Sequence, residues 1–309
     1  MGLQVEGHLV LGANLASCGD VHTGLHHLDR AIALFDPYRH RPGRLRLGAS
    51  PGVVARTTSA FLLWLVGYPD RAVQRARSAL ELARQLNHPF TLAYALFHVG
   101  LLDLWRRDLA SVHERASGAL DVAEEHDYQV WRAVAQVLEG VAMTGLGRPE
   151  EGLATTERGI ALYQGLKTPP VFWPVLLSIR AGAFALAGRP AEGLNLIEEA
   201  IATTSEADFA YPEYAMLKGD LLLGTCDAGA AVPWFQSAFD AAGEVGVRMS
   251  QLRAATRLTR LWRAAGKDPD AELLRGVYQT LTEGFDTPDL VEARAVLGDL
   301  DGPPARRPT

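Results

Sequence analysis

One short turn sequence recurs almost identically at three places in this chain of 309 residues. The segments are "WLVGYPDRAV" (64–73), "TGLGRPEEGL" (144–153) and "ALAGRPAEGL" (185–194), and each joins two helix-like stretches through a Gly followed by a Pro. Equivalents of that Gly, which we call anchors, recur about every 40 residues: Gly19, Gly67, Arg107, Gly147, Gly188, Cys226 and Gly266. A steady period of this length indicates stacked helical repeats, since each repeat is one supersecondary unit.

Small residues recur in step with the anchors, and they test the register at positions that did not define it. Of 21 positions lying seven residues before, five after or twelve after an anchor, 18 are Gly or Ala; the exceptions are Thr259, Val112 and Tyr278. Two antiparallel helices approach closely only where side chains are small, and positions seven apart share one helix face. The pattern therefore predicts a helix A before each anchor and a helix B after it, which is the tetratricopeptide (TPR) arrangement.

The register predicts an all-α fold, a right-handed superhelical solenoid of about seven TPR-like helix pairs. The repeats exceed the roughly 34 residues usual for this motif, so the helices or loops are expected to be longer. We expect a single domain over 1–300, with an inserted loop at 36–52, a closing helix at 288–299 and a disordered tail at 301–309. The helix pairs are predicted near 4–35, 53–86, 91–126, 130–165, 172–205, 212–247 and 250–282. No segment alternates with the two-residue period of a strand, so no sheet is expected.

Composition narrows the partners and the compartment. The net charge is −6 and the basic residues are scattered, which argues against a nucleic-acid partner. No apolar run approaches the roughly 20 residues that cross a bilayer, so no membrane partner is expected. Two cysteines provide no disulfide framework and favour a reducing, cytoplasmic location. In a solenoid each repeat contacts its neighbours, so Cys18 and Cys226 are expected to be helix-packing thiols rather than a bridged pair.

Several longer segments resemble the C-terminal tetratricopeptide region of bacterial adenylate/guanylate cyclase–ATPase fusion proteins. They lie at 65–96, 212–223, 252–267 and 277–300, and "TEGFDTPDL" (282–290) is the most specific of them. In that family a cyclase domain and a nucleotide-binding ATPase domain precede this region, and neither is present in this sequence. The resemblance implies a sensing or coupling region, with a separate cyclase or ATPase chain as a candidate partner.

Motifs for chemistry are weak in this chain. "GASPG" (48–52) matches the nucleophile elbow around Ser50, but no strand precedes it and Pro51 has no N–H for an oxyanion hole. His22 and His26 have the i,i+4 spacing of metal ligands, yet no third ligand completes a site, so a solvated helix face is favoured. We therefore expect no enzymatic activity, no catalytic residue, no metal and no cofactor. The basic stretch "RHRPGRLR" (39–46) is interpreted as a solvated loop, with an acidic or phosphate-bearing partner as the alternative.

The candidate partner-binding surface is the concave groove that the A helices line in such superhelices. Counting along helix A from its small residue predicts that the groove contains Thr57, Phe61, Trp64, Tyr94, Phe97, Leu101, Met216, Asp220, Arg253 and Arg260, with Val54, Leu104, Glu213 and Thr256 as further candidates. The set is aromatic at one end and charged at the other. Two readings of the aromatic strip stay open: it anchors a peptide or amphipathic helix, or it is buried against neighbouring repeats or a second copy of the chain.

The sequence thus favours a non-enzymatic interaction scaffold or regulatory sensor module of a signalling system, with a protein or peptide partner in the groove. One alternative is a small-ligand sensor that holds a metabolite in the superhelix cavity. Another is an accessory fragment that acts with a cyclase or ATPase chain. A homodimer is a further candidate assembly.

Overall fold

The computed structural model describes residues 2–38, 48–267 and 271–301, and over these ranges the chain forms fifteen α-helices and no strand. The helices are α1 Gly2–Ser17, α2 Val21–Leu34, α3 Pro51–Leu65, α4 Pro69–Gln85, α5 Pro89–Trp105, α6 Leu109–Glu125, α7 Gln129–Gly145, α8 Pro149–Gly165, α9 Trp173–Leu186, α10 Pro190–Ala202, α11 Tyr211–Gly224, α12 Ala228–Val245, α13 Arg248–Ala264, α14 Ala271–Tyr278 and α15 Pro288–Asp301. Seven A–B pairs run from α1–α2 to α13–α14, and α15 is the closing helix. The predicted all-α, TPR-like solenoid is confirmed.

The described ranges leave two sequence predictions without a structural account. Residues 39–47, which contain most of the predicted insertion and the basic stretch, lie outside them, as do residues 302–309 of the predicted tail. The last two residues of the predicted insertion, Pro51 and Gly52, belong to α3. Among the described helices, none combines the length and the apolar character that crossing a membrane requires.

The anchors end helix A as the register predicts. All seven have a positive φ, from 61° at Arg107 to 97° at Gly67. This left-handed conformation stops an α-helix and reverses the chain, and Gly adopts it most readily. In six of the seven repeats helix B then begins in one of two ways: with a Pro, as in α4, α8 and α10, or with an Asp cap, as in α2, α6 and α12. Both solutions suit a helix start, where the first N–H groups have no partner within the helix.

The predicted close approach of helix A to helix B is present in the backbone. A Cβ added at Gly12 would lie 2.8 Å from the carbonyl oxygen of Gly24, and one added at Gly24 would lie 2.7 Å from that of Gly12. Gly140 and Gly152 show the same reciprocal contact at 2.5 Å between α7 and α8. These pairs leave no room for a side chain, so the small residues set the separation of the two helices.

Two expectations about contacts between repeats are wrong. Cys18 and Cys226 are exposed free thiols, because both lie in turns at hairpin tips, where no neighbouring helix covers them. Repeats distant in sequence also touch. Glu283 accepts hydrogen bonds from the backbone N–H and the Nε–H of Arg71, at 3.0 and 3.2 Å, across 212 residues of chain. The superhelix therefore closes on itself.

The closing contacts come from the "TEGFDTPDL" segment. Gly284 donates its backbone N–H to Asp70 at 3.2 Å, next to the Arg71–Glu283 pair. Just before the segment, Leu281 lies so close to Gly67 that a Cβ at position 67 would meet its Cδ2 at 2.5 Å. The segment thus packs on the turn between α3 and α4, which gives the most specific part of the sequence resemblance a structural role.

We predict that Gly140→Ala lowers the free energy of unfolding by at least about 1 kcal/mol, because overpacking against α8 outweighs the gain in helix propensity. Gly276→Ala is the matched control, since the Cβ of residue 276 in α14 would have no atom within 4 Å. Urea unfolding should show the control slightly stabilised, by about 0.5–1 kcal/mol. Equal stability of the two variants would contradict the close backbone contact.

Candidate functional site

The A helices of repeats three to seven surround a cavity of about 300 Å³. Its lining comes from α5 and the turn after it, α7, α9, α11 and α13: Leu104, Trp105, Arg107, Val141, Ser178, Ile179, Gly182, Ala185, Leu186, Glu213, Tyr214, Met216, Leu217, Asp220, Arg253 and Arg257. None of these described residues belongs to a B helix. The cavity is therefore on the inner side of the superhelix, where the groove was predicted.

The cavity has an apolar wall and a charged wall. Val141, Ile179 and Leu186 form much of the apolar wall, on α7 and α9. The charged wall lies on α11 and α13 and consists of two ion pairs, Glu213 with Arg253 and Asp220 with Arg257. Such a combination suits a ligand that buries an apolar group and presents a polar or charged group beside it.

Arg253 is the most deeply placed charge of this wall, with only 9% of its side chain exposed. One Nη lies 2.8 Å from Glu213, and the other lies 2.9 Å from Asp289 and donates to the carbonyl oxygen of Trp105. Its guanidinium carbon is 5.8 Å from the ring centre of Trp64. A buried guanidinium held by two carboxylates and a carbonyl fixes α13 against α5, α11 and α15.

The closing helix α15 contributes the other half of the network. Asp289 also pairs with Arg107, and its side chain is 1% exposed. Glu292, one turn further along α15, lies 2.8 Å from Arg107 and 3.4 Å from Arg257. Since Arg253 and Arg257 also line the cavity, the same two side chains connect the cavity wall with the contact that closes the superhelix.

The pKa values of the two α15 carboxyls reflect this surrounding charge. Burial alone would raise the pKa of Asp289, but the positive charges of Arg253 and Arg107 outweigh burial, and the pKa lies below its ordinary value. The pKa of Glu292 is lowered in the same way, with burial opposed by the hydrogen bond and charge of Arg107. Both carboxyls are therefore ionised at neutral pH, which maintains the closing contacts.

The structure separates the predicted groove residues into three groups. Met216, Asp220 and Arg253 line the cavity, together with the further candidates Leu104 and Glu213. Arg260 is exposed and lies 3.6 Å from Glu292, outside the lining. The remaining six predicted groove residues do not line the cavity: Thr57, Phe61, Trp64, Tyr94, Phe97 and Leu101.

Trp64 and Phe97 have no exposed surface, so the structure favours the core reading for these two residues. For Trp64 the reason is the closure of the superhelix, which brings α13 against α3 and covers the inner face of repeat two. Tyr94 and Phe97 pack instead into an aromatic cluster with Trp131, at centroid distances of 5.6 and 6.1 Å, and Phe97 also meets Phe172 at 5.4 Å.

His98 belongs to the same aromatic cluster. Its ring is stacked on Tyr94 at 3.9 Å between centroids, and its Nδ1 lies 2.8 Å from the Tyr94 carbonyl oxygen. Desolvation lowers the pKa of His98 to about 4 and raises that of Tyr94 to about 12. Both rings are neutral at physiological pH, as expected of residues that stabilise a core.

Sequence reasoning missed the centre of the cavity, although the signal was available. The predicted groove positions lie 13, 10, 6 and 3 residues before each anchor. Applied to repeats four and five, the same count gives eight positions, and four of them line the cavity: Val141, Ser178, Gly182 and Ala185. Arg107 and Asp289 carried no such signal, because their pairing depends on the closure of the chain.

The weak chemical motifs form no site in the described part of the chain. Ser50 is buried at the start of α3, and its backbone N–H donates to Thr91. His22 and His26 are exposed on α2, whereas His27 faces His8 of α1 with 2.8 Å between their Nδ1 atoms. Over residues 2–38, 48–267 and 271–301, no three His, Cys, Asp or Glu side chains cluster as metal ligands do.

Comparison with known proteins gives a fold and little more. No family model matches the chain. An uncharacterized protein of Rhizobium meliloti (strain 1021) is 24% identical over 184 residues, a match that covers 58% of this chain and 18% of the relative. The chain thus corresponds to about a fifth of the length of the curated relative that it matches.

Solved structures of similar shape cover almost the whole chain. NprR in complex with its cognate peptide NprX superposes with a TM-score of 0.64 at 12% identity, covering 98% of this chain and 83% of NprR. Rap protein complexed with Competence and Sporulation Factor gives a TM-score of 0.56 at 10% identity, covering 96% and 78%. The apo form of RapI gives 0.51 at 11% identity, covering 96% and 100%. At such identities the likeness shows the shared TPR-like fold alone.

We predict that Trp64→Ala lowers the free energy of unfolding by about 3–5 kcal/mol, as expected when a large buried aromatic side chain is truncated. Chemical denaturation of the purified variant measures this loss. An unchanged stability together with a weakened partner interaction would show that Trp64 belongs to the binding surface and not to the core.

Asp289→Asn should alter how stability depends on pH. A carboxyl whose folded pKa is below its unfolded value of 3.8 stabilises the fold above that pH and loses this contribution as pH falls toward the folded pKa. The variant, which leaves Arg107 and Arg253 short of a carboxylate, should be about 3–5 kcal/mol less stable at pH 7. Urea unfolding from pH 7 to pH 3 should show this difference shrinking below about pH 4. A constant difference would mean that Asp289 is not held ionised by the network.

Proposed function

We propose that this chain is a non-enzymatic regulatory module of a signalling system that binds a short peptide segment in the inner cavity. One observation carries the proposal: the cavity combines an apolar wall with paired charges that also hold the closing helix. An apolar side chain of the peptide is placed against Val141, Ile179 and Leu186. Its neighbouring polar or charged group meets the Asp220–Arg257 pair, whose carboxylate side chain is 38% exposed.

Coupling between ligand and closure follows from the shared residues. A ligand group that competes for Asp220 or Arg257 changes the ion pair between these residues, and Arg257 also contacts Glu292 of α15. A ligand that interacts differently with the closed and the loosened superhelix shifts the population between them. Such a shift is the output that we assign to the module.

One of the structural neighbours supports a peptide as the ligand class, and a second was solved with a named factor. NprR was solved with its cognate peptide NprX, and Rap protein with Competence and Sporulation Factor. Both share the fold of this chain over nearly its full length. Because the identity is low, the likeness supports the class of ligand and not its sequence.

The size of the cavity favours a second candidate function, a sensor for a small metabolite. About 300 Å³ is at the lower end of the range for small-molecule pockets, and the mix of apolar lining with few charges is typical of them. Both candidates use the same lining residues, so one blocking variant tests either.

We propose that the module regulates a cytoplasmic cyclase or ATPase chain. Its support is the sequence resemblance, above all the "TEGFDTPDL" segment, whose residues take part in closing the superhelix. The longer Rhizobium relative, of which the matched part is 18%, is compatible with additional domains beside such a module.

Gly182→Phe is the sharpest test of the cavity. Gly182 lies within α9 and lines the cavity, and a Cβ there would have no atom within 4 Å. The Phe ring should therefore fill the cavity without disturbing the fold, and loss of a helix-interior Gly should slightly raise the melting temperature. We predict that peptides selected on the wild-type chain from a library of random heptapeptides lose at least about tenfold in affinity for this variant, equivalent to about 1.4 kcal/mol.

Gly276→Phe is the control, since it adds the same ring at an open position of α14 that does not line the cavity. A metabolite panel in a thermal-shift assay, run on the same three proteins, separates the two ligand classes. Peptides or metabolites that bind wild type and Gly182→Phe equally would show that the cavity is not the site.

A further inference from the structure

We propose that the inner cavity selects its peptide by a positive charge: a lysine or arginine side chain of the peptide reaches Asp220, and its aliphatic stem lies on the apolar wall. This selection rests on the proposed function, since it specifies the peptide that the cavity binds. Five charged side chains of the described residues line the cavity, and Asp220 is the one among them with a single polar partner.

The number of charges in the lining would by itself favour an acidic ligand. Arg107, Arg253 and Arg257 line the cavity, whereas only Glu213 and Asp220 are acidic. The contacts reverse this expectation, because each arginine already faces two carboxylates. The pairs are Arg107 with Asp289 and Glu292, Arg253 with Glu213 and Asp289, and Arg257 with Asp220 and Glu292. A ligand carboxylate that displaced one of these partners would leave a carboxylate of the protein without its cation, which is costly in a buried network.

Asp220 is the carboxylate that can accept a further donor. Within the described part of the chain its polar partner is Arg257, at 2.9 Å from one carboxylate oxygen and 3.5 Å from the other. An ionised carboxylate has about four positions for donors, so a ligand ammonium or guanidinium can bind without breaking this pair. The side chain of Asp220 is 38% exposed and therefore accessible from the cavity.

Glu213 does not offer the same opportunity. It accepts hydrogen bonds from the Ser250 hydroxyl at 2.7 Å and from Arg253 at 2.8 Å, and these two donors occupy different oxygens. Its side chain is only 11% exposed. A cationic group that enters the cavity therefore meets Asp220.

The apolar wall explains why the cation belongs to a long side chain. Val141, Ile179 and Leu186 line the same cavity as Asp220. Lysine and arginine bury an aliphatic stem along apolar surface while the charged end stays with polar groups, so one such side chain contacts both walls. A cavity of about 300 Å³, at the lower end of the range for ligand pockets, suits a single side chain of this kind.

A double-mutant cycle on the full chain tests the cation. Heptapeptides that are selected on wild type and lose binding to Gly182→Phe are sequenced, and we expect lysine and arginine to be enriched among them. The tightest peptide is then made again with its basic residue replaced by methionine. We expect Asp220→Asn to weaken the parent peptide by at least about tenfold, and the methionine peptide to bind wild type and Asp220→Asn equally, because the contact is already missing.

Asp240→Asn is the matched control. It removes the same charge from an exposed position of α12 outside the lining, so the parent peptide should bind it as tightly as wild type. Asp220→Asn should melt within about 3 °C of wild type, since asparagine keeps the size of the side chain and an oxygen for Arg257, and partly exposed ion pairs contribute little to stability.

The outcomes separate this inference from the proposed function. Peptides that lose binding to Gly182→Phe but bind Asp220→Asn as tightly as wild type would overturn the inference and leave the peptide site in place, and so would enrichment of acidic residues among them. If no peptide is sensitive to Gly182→Phe, the proposed function and the inference both fail. A metabolite amine that stabilises wild type but not Asp220→Asn, in the absence of any such peptide, would overturn the peptide as the source of the cation.

Discussion

Close backbone contact between paired helices is the constraint from which the rest of this structure follows. At Gly12–Gly24 and Gly140–Gly152 the two backbones approach so closely that neither helix can carry a side chain there. The contact sets the separation and crossing of A and B helices, and repeating it turns the stack into a superhelix with A helices inside. The position of the cavity on the A helices is a consequence of this geometry.

Closure divides the inner surface into two parts with different roles. In repeats two and three the inner positions are occupied by aromatic and apolar side chains such as Trp64 and Phe97, which α13 and the neighbouring A helices bury. In repeats five and six the same positions include smaller or polar residues such as Ser178, Gly182 and Asp220, which line the open cavity. Arg253 lies at the boundary, with Trp64 below its guanidinium and the cavity beside it. The buried part supports the walls of the open part.

Local regularity explains which features could be predicted from the sequence. The helices, their order and the positive φ at each anchor follow from short-range rules on Gly, Pro and helical spacing, and even Arg107 and Cys226 were placed correctly because the period required a turn there. The stripe of inner positions was also predictable, including Met216, Asp220 and Arg253. The burial of Trp64 was not, because it depends on α13 arriving from almost two hundred residues away. The ion pairs of Arg107 and Asp289 could not be predicted for the same reason, since no local pattern relates the two residues.

The bond between Arg71 and Glu283 has a consequence for how the chain folds. Helical repeat arrays ordinarily have low contact order, so they can nucleate anywhere and their ends can fray independently. Here a contact spans 212 residues, and forming it costs the conformational entropy of a very long loop, a cost that grows only with the logarithm of loop length. Joining the second repeat to the segment before α15 makes melting of either end unfavourable while the other is intact. The array should therefore unfold as one cooperative unit. In the folding direction, closure of the superhelix should be a late and slow step.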